Sequence, residues 1–184
     1  MRRLIILYAV ILLVLLPVAG CQQQSPSLPD IESLTYTNLE YGFSLEYPKD
    51  WDVMEDFMGM EVFLAGPLVL EGAYCINVSV AVEQLPEEMT LEDYGITVES
   101  NTKMALPDYN KVDEYSTTIG GQPATVSTLT ATVELEGTEY TLKDSCAIFI
   151  EDSVGYIITY DVPQEFHDQY ADCFELVIGT FEFD

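Results

Sequence analysis

The chain has 184 residues, 48% of them hydrophobic, and carries 32 acidic side chains against six lysines and arginines, for a net charge of −26 at pH 7. This hydrophobic content excludes a disordered acidic tail, because disordered chains have too few apolar residues to form a core. The charge excludes nucleic acid as a partner, because affinity for nucleic acid requires clustered lysines and arginines.

The first 20 residues predict a secretory signal peptide. Arg2 and Arg3 precede an uncharged, largely apolar stretch from Leu4 to Gly20, and a positive start, an apolar centre and small residues at the end are typical of such signals. No basic stop-transfer cluster follows, which favours cleavage over a permanent membrane span. Cleavage after residue 20 would remove both arginines and leave 32 acids against four lysines, a net charge of −28.

A cysteine stands at the predicted cleavage point. The segment Val18-Ala19-Gly20-Cys21 resembles the lipobox of prokaryotic lipoproteins, which implies cleavage before Cys21 and lipidation of its thiol. Because several acyl chains hold a protein firmly on a bilayer, we expect a lipid-anchored protein on the extracytoplasmic face of the cell membrane. The alternative is an ordinary signal peptide in which Cys21 is incidental. Residues 21–33, rich in Gln, Ser and Pro, predict a flexible tether.

Residues 34–184 predict one domain that begins with β-strands and contains a central helix. Polar and apolar residues alternate through the first strands, which is the period of a half-buried strand. Thr90, followed three residues later by Asp93, resembles a capping box, and Pro107 predicts the end of that helix. Residues 34–184 are numerous enough to bury a sizeable core.

The second half of the domain predicts an antiparallel meander. Gly120-Gly121, Gly137 and Asp152-Ser153 separate β-rich runs, and short turns of this composition connect neighbouring strands as hairpins. The runs are residues 111–119, 123–135, 139–151 and 155–162.

A last helix and a short strand are expected at the end of the chain. Apolar residues with helical spacing predict the helix, Gly179 is expected to cap it, and residues 180–183 are expected to form the strand. The helical stripe consists of Phe166, Tyr170, Phe174 and Val177. His167, the one histidine, is expected on the exposed side. Asp168 is not expected to orient it, because successive helical residues do not face each other.

Four segments carry a family resemblance. They are the aromatic stretch Tyr41 to Trp51, the helix start Thr90 to Tyr94, the turn Gly120 to Ala124, and the closing stretch Phe174 to Phe183. Together they resemble the PsbP/Mog1-like domains. This implies an α+β fold in which an antiparallel sheet has helices packed on its faces, as an α/β/α sandwich. The photosystem members of that family help to retain Ca²⁺ and Cl⁻, but no residue of this chain can be matched to an ion-binding role.

The remaining cysteines predict no metal site. Cys75, Cys146 and Cys173 are odd in number and widely spaced, unlike metal-ligand patterns. The sequence favours three buried free thiols. One disulfide among them stays open, because an extracytoplasmic protein can form it.

The sequence predicts no catalytic site and no bound cofactor. Acidic pairs are numerous, but no feature of the sequence singles out one pair for general acid catalysis. They are Asp50/Asp52, Glu55/Asp56, Glu87/Glu88, Glu92/Asp93, Asp113/Glu114, Glu134/Glu136 and Glu151/Asp152. No EF-hand run is present, so only weak Ca²⁺ binding from charge alone is considered.

Two functional hypotheses follow from these observations. The preferred one is a non-catalytic, lipid-anchored domain that binds or supports another envelope component, as an accessory protein does. The alternative is a carboxylate-based hydrolase of extracytoplasmic glycan, which requires two acids in a cleft with one of them buried. A weak Ca²⁺-binding module is a variant of the first hypothesis.

Overall fold

The computed structural model describes residues 30–106, 108–135 and 137–184. The expected signal peptide, Cys21 and most of the expected tether therefore lie outside the described residues. The first strand begins at Ser33, one residue before the expected start of the domain.

The described chain contains ten strands and two α-helices. The strands are β1 (Ser33–Asn38), β2 (Phe43–Pro48), β3 (Asp52–Phe57), β4 (Met60–Val69), β5 (Tyr74–Gln84), β6 (Asn110–Ile119), β7 (Gln122–Leu135), β8 (Thr138–Glu151), β9 (Val154–Asp161) and β10 (Glu182–Phe183). The helices are α1 (Leu91–Ala105) and α2 (His167–Thr180), and short 3₁₀ turns occupy Leu70–Gly72 and Gln164–Phe166.

The strands form two antiparallel sheets. The larger has seven strands in the order β3-β4-β5-β9-β8-β7-β6, and the smaller has three in the order β1-β2-β10. Every strand pair within them is antiparallel. The predicted meander is confirmed, because β6, β7, β8 and β9 follow one another both in sequence and in the sheet.

The turns of the meander have the backbone that their residues favour. Gly120 and Gly121 have φ of 57° and 81°, and Asp152 and Ser153 have φ of 47° and 63°. Two successive residues with positive φ are typical of the two-residue hairpin turn that matches strand twist, and Gly and Asp enter this region most easily.

The large sheet is the middle layer of the domain. Its face bearing Val78 and Tyr156 forms the main core with α2 and the small sheet, and Phe43 of β2 lies edge-on to Tyr156 with ring centroids 6.1 Å apart. The opposite face carries Cys146 and Ile148, which pack against Tyr94 of α1. The predicted α+β class, with helices on the two faces of an antiparallel sheet, is confirmed.

The C-terminal helix is longer than expected. Gly179 does not cap it; α2 continues to Thr180, whose hydroxyl donates a 2.7 Å hydrogen bond to the carbonyl oxygen of Leu176. The chain then becomes extended at the buried Phe181, and the strand that follows contains only the two residues of β10. Burial of Phe181 determines where the helix ends, so a left-handed glycine is not required there.

Candidate functional site

A groove of about 380 Å³ lies between α1 and the outer strands of the large sheet. The alternation of β7 and β8 directs apolar side chains, among them Leu129 and Ile148, to the floor of this groove. Helix α1 forms the wall with Gly95 and Val98. A Cβ at Gly95 would lie 3.2 Å from Cδ1 of Ile148, so the small residue lets the helix approach the sheet closely.

Ion pairs line the outer rim of the groove. The Lys111 ammonium on β6 lies 2.9 Å from Oε2 of Glu99 on α1 and 2.7 Å from Oε2 of Glu114. Lys103 contacts the other oxygen of Glu99 at 2.6 Å. These hydrogen bonds lower the pKa of Glu99 and raise that of Lys111. The network therefore connects α1 to the edge strand at the mouth of the groove.

Apolar side chains are exposed along α1, beside the groove. Ile96, which lines the groove, is 62% exposed, and Met104 is 74% exposed. Strand β6 is the edge of the large sheet, and most of its side chains are exposed. Its register shifts between Lys111 and Asp113, and a bulge and charged side chains are devices that discourage uncontrolled pairing of an edge strand. The groove is therefore the more suitable contact surface on this side.

The sequence predicted His167 on the exposed side of the helix, and this prediction is wrong. Its side chain is only 12% exposed, Nε2 lies 3.4 Å from the Ser145 hydroxyl, and Nδ1 lies 2.9 Å from Oδ1 of Asp168. The expectation that Asp168 would not face it is also wrong. His167 is the first residue of α2, so no preceding α-helical turn constrains its ring.

The Ser145, His167 and Asp168 contacts resemble a nucleophile, a base and an orienting acid, but the surroundings do not suit acyl transfer. Ser145 is 6% exposed, and the crevice beside it has a volume of about 130 Å³. Ser145 pairs with Thr128 on one side and Tyr160 on the other, so the sheet occupies the backbone groups around it. An oxyanion requires free donors at that position. We interpret the contacts as the attachment of α2 to the sheet.

Two carboxyl groups, Asp144 buried and Asp161 partly buried, occupy adjacent strands on the other face of the sheet. Ser145 pairs with Tyr160, and Leu142 forms a bridge to Pro163. The same register places Asp144 opposite Asp161. Their chain neighbours Ser145 and Tyr160 contact His167 of α2, so the two acids point to the opposite face, because successive strand residues alternate.

Asn77 extends this pair into a row of three polar residues. It pairs with Asp161 across β5 and β9, and it is 6% exposed. Its amide nitrogen donates to the carbonyl oxygen of Cys75 at 3.2 Å, whereas its buried Oδ1 has no hydrogen-bond partner among the described residues. One carboxylate oxygen of Asp144, which is 4% exposed, accepts a 3.2 Å hydrogen bond from the backbone N–H of Val162.

Burial sets the protonation of the two acids. It raises the pKa of both Asp144 and Asp161, and the charge of Asp161 raises that of Asp144 further. Because the charged form of a carboxyl is disfavoured by burial and by a second negative charge, the pair retains a proton more strongly than free aspartates. Neither side chain lines the groove or the crevices described here. None of these four cavities therefore presents the pair to a substrate, as a glycan hydrolase would require.

A second group of acids lies at the surface. Four carboxylates line a crevice of about 180 Å³ beside Tyr36 and Asn38; they are Glu40, Glu55, Asp56 and Glu61. Burial first, and then the charges of Glu40 and Asp56, raise the pKa of Glu61. The Asn38 side-chain oxygen is already used, because it accepts from the backbone N–H groups of Glu40 and Tyr41 at 3.0 Å.

The three described cysteines are free thiols. Cys146 lies under α1 and Cys173 is buried in α2 on the other side of the large sheet, while Cys75 is partly buried. The disulfide that the sequence left open is not formed in this structure. Cys21, the expected lipid attachment site, lies outside the described residues. In the described ranges, neither α1 nor α2 has the length and hydropathy of a transmembrane helix.

Three solved structures share this fold. Cyanobacterial PsbP (CyanoP) from Synechocystis sp. PCC 6803 matches 90% of this chain with 100% of its own, at a TM-score of 0.60 and 14% identity. LpqN, described as involved in cell envelope biogenesis of Mycobacterium tuberculosis, matches 84% of this chain with 91% of its own, at a TM-score of 0.60 and 12% identity. The Saccharomyces cerevisiae Ran-binding protein Mog1p matches 83% of this chain with 96% of its own, at a TM-score of 0.57 and 10% identity.

At these identities the structural matches show the fold alone. No curated protein sequence matches the chain. The sequence profile of the PsbP family, however, matches residues 32–183, which is nearly the whole of the described domain. The predicted PsbP/Mog1-like domain is confirmed, and the chain belongs to the PsbP family.

Proposed function

We propose that this protein is a non-catalytic domain, anchored by lipid at Cys21 on the extracytoplasmic face of the cell membrane, that binds or supports another envelope component. Contact with that component takes place at the groove under α1. Residues 21–32 act as the tether between the anchor and the first strand. The protein thus has an accessory role that involves no chemical step of its own.

The groove is the observation that carries this proposal. Its volume of about 380 Å³ is in the range of sites that accommodate small ligands or anchoring side chains. An apolar floor surrounded by charged residues is also the usual composition of a binding surface, since buried apolar contacts supply affinity and the polar rim supplies specificity. The exposed Ile96 extends this apolar surface outward along α1.

The charge of the chain indicates the chemistry of the partner. The domain is strongly acidic, and the described rim combines Glu92, Glu99 and Glu114 with Lys111, while Lys103 pairs with Glu99 from outside the groove. Opposite charges accelerate encounter and suppress wrong partners. We therefore expect a partner segment that combines an apolar anchor with lysine or arginine.

Relatives of this fold support a binding role by analogy. Mog1p is named as a Ran-binding protein, and LpqN is described as involved in cell envelope biogenesis. Fold similarity on its own does not transfer an activity. It does, however, agree with a domain that presents a surface, and the expected lipobox would place that surface at an envelope.

The anchor is tested by comparing the wild-type protein with Cys21→Ser after expression in membranes. We expect the wild type to have an acylated mass and to partition into the detergent phase, and the variant to lose both properties. A wild-type mass without acyl chains would contradict the lipid anchor while leaving the groove untested.

The groove is tested by photo-crosslinking in the native membrane. A photoreactive amino acid replaces Ile96 in one variant and Leu68 in a control, because these side chains are similarly exposed at 62% and 66%. We expect a discrete crosslinked protein at residue 96 and none at residue 68. Equal labelling at the two positions, or no labelling at either, would contradict a partner at the groove.

A further inference from the structure

Asp144 and Asp161 lie in the sheet without a cationic partner. No ion pair to either is present among the described residues. Lys143, adjacent to Asp144 in the chain, points to the other face and contacts Asp168 of α2. Buried carboxylates in proteins are protonated, paired with a cation or bound to a metal ion, because an isolated buried charge is too costly.

Asn77 supplies an independent observation at the same place. Its Oδ1 atom is buried and accepts no hydrogen bond from the described residues, although the amide nitrogen is bonded to Cys75. Buried acceptors without a partner are rare in folded proteins. Because Asn77 pairs directly with Asp161, its side chain projects from the same face, toward the carboxyl pair.

The groups around the carboxyl pair itself are acidic or neutral. The phenol of Tyr74 is close enough that the charges of Asp161 and Asp144 raise its pKa, after burial. Asp52 lies further along the same row, on β3 beyond Ala65. Lys111 stands at the opposite end of the row, on β6 beyond Leu129, but its ammonium is paired with Glu99 and Glu114. The electrostatic field at the acid pair therefore favours a cation.

We propose that Asp144, Asp161 and Asn77 form a binding site for one hard divalent cation of the Mg²⁺ or Ca²⁺ class. Two carboxylates and an amide oxygen are the ligand types that these ions prefer. Neighbouring strands lie about 4.8 Å apart, which allows side chains from three adjacent strands to converge on one ion. Asp161 is only partly buried, so water can reach the ion and complete its coordination.

This site differs from metal centres built of ionisable residues. The described residues contain no group of three or more His, Cys, Asp or Glu side chains arranged to hold a metal. Here the third ligand is the amide oxygen of Asn77, beside the two carboxyl groups. The site does not include the groove, so this proposal and the proposed function are tested independently of each other.

The test is the thermal stability of the full-length protein, first treated with EDTA and then supplied with MgCl₂ or CaCl₂ at pH 7.5. We expect the melting temperature to rise by about 3 °C or more at millimolar cation, because a ligand that binds only the folded state stabilises it. NaCl at equal ionic strength should not reproduce the increase. Asp144→Asn, which is nearly isosteric, should abolish it.

Glu61→Gln is the matched control, because it removes one charge from the surface crevice of four acids. This variant should keep the full increase. An increase lost in Glu61→Gln and kept in Asp144→Asn would overturn the proposal, and so would the absence of any cation-specific increase in the wild type.

A direct measurement covers the case in which Asp144→Asn does not fold. Mn²⁺ is titrated into the wild type, Glu61→Gln and Asn77→Ala, and free Mn²⁺ is followed by electron paramagnetic resonance. We expect one bound Mn²⁺ per chain in the wild type and in Glu61→Gln, and at least tenfold weaker binding in Asn77→Ala. Equal binding in all three proteins, or none in the wild type, would overturn the proposal.

Discussion

The Ser145 hydroxyl lies 3.4 Å from Nε2 of His167, and this contact connects the centre of the large sheet to the first residue of α2. The Tyr160 hydroxyl adds a 2.9 Å hydrogen bond to the backbone carbonyl of His167, and the two rings lie with centroids 5.6 Å apart. The start of α2 is therefore held from two adjacent strands. Because α2 covers the main core, these contacts affect the stability of the whole domain.

We expect His167→Ala to lower the free energy of unfolding by about 1–2 kcal/mol, because it removes the partner of a buried hydroxyl and part of the packing on Tyr160. A double-mutant cycle with Ser145→Ala should give a coupling of about 0.5–1.5 kcal/mol by urea denaturation. Asp168→Asn is the control and should change stability much less than His167→Ala, since Asp168 is 93% exposed and exposed ion pairs contribute little. A coupling near zero would show that the hydroxyl and the ring do not interact.

Gly155 is the second point at which a helix is fixed to the sheet. A Cβ at this position would lie 2.6 Å from Oη of Tyr94 and 2.9 Å from Cδ1 of Leu85. We expect Gly155→Ala to destabilise the protein by about 1–3 kcal/mol, because a buried ring cannot yield without moving α1. Gly95→Ala should cost less or stabilise, since alanine favours a helix and its Cβ would meet only the end of Ile148. Equal decreases of the melting temperature in Gly155→Ala and Gly95→Ala would contradict this expectation.

The position of Asp144 opposite Asp161 can be predicted from the sequence. The turn at Asp152-Ser153 was predicted, and pairing outward from a two-residue hairpin turn brings Asp144 opposite Asp161. The acidic pairs predicted from the sequence contain only near neighbours, whereas the members of this pair are 17 positions apart in the chain. Asn77 could not be added from the sequence, since the pairing of β5 with β9 joins strands from opposite ends of the domain.

Local sequence signals predict the start of α1, whereas contacts between distant residues decide the end of α2 and the position of His167. Thr90 accepts a 3.1 Å hydrogen bond from the backbone N–H of Asp93, so the predicted cap of α1 is confirmed from local signals alone. The end of α2 depends on burial of Phe181, and the contacts of His167 depend on where α2 meets β8. Tertiary packing decides both features, which explains why the expectations for Gly179 and His167 were wrong.

The thiols give a prediction that also tests the absence of a disulfide. Burial raises the pKa of Cys146 to about 12 and that of Cys173 to about 11, and it also raises that of Cys75. Because the thiolate is the reactive form, iodoacetamide should label Cys146 and Cys173 only after unfolding. With Cys21→Ser and no reductant, we expect mass spectrometry to find three labels in urea. A single label in urea would show that two cysteines are joined.

The raised pKa values of Asp144 and Asp161 predict that stability depends on pH in an unusual direction for carboxyl groups. A carboxyl whose pKa is higher in the folded protein than in the unfolded chain binds more protons when folded. Its contribution to stability is therefore fully present below about pH 4, and it is lost as the pH rises through the folded value. The unfolded chain releases these protons first, so raising the pH favours unfolding.

We expect this loss to become smaller when Asp144 is replaced by Asn, because only Asp161 then has a raised pKa in the row. In EDTA, the free energy of unfolding of the wild type relative to Asp144→Asn should fall between pH 4 and pH 8, by at most about 1.4 kcal/mol per pH unit for one proton. Glu61→Gln serves as the control for a partly exposed acid and should show a weaker trend. A wild-type stability that rises relative to Asp144→Asn over this range would mean that the pair is ionised and stabilised in the folded protein, contrary to its burial without a cation.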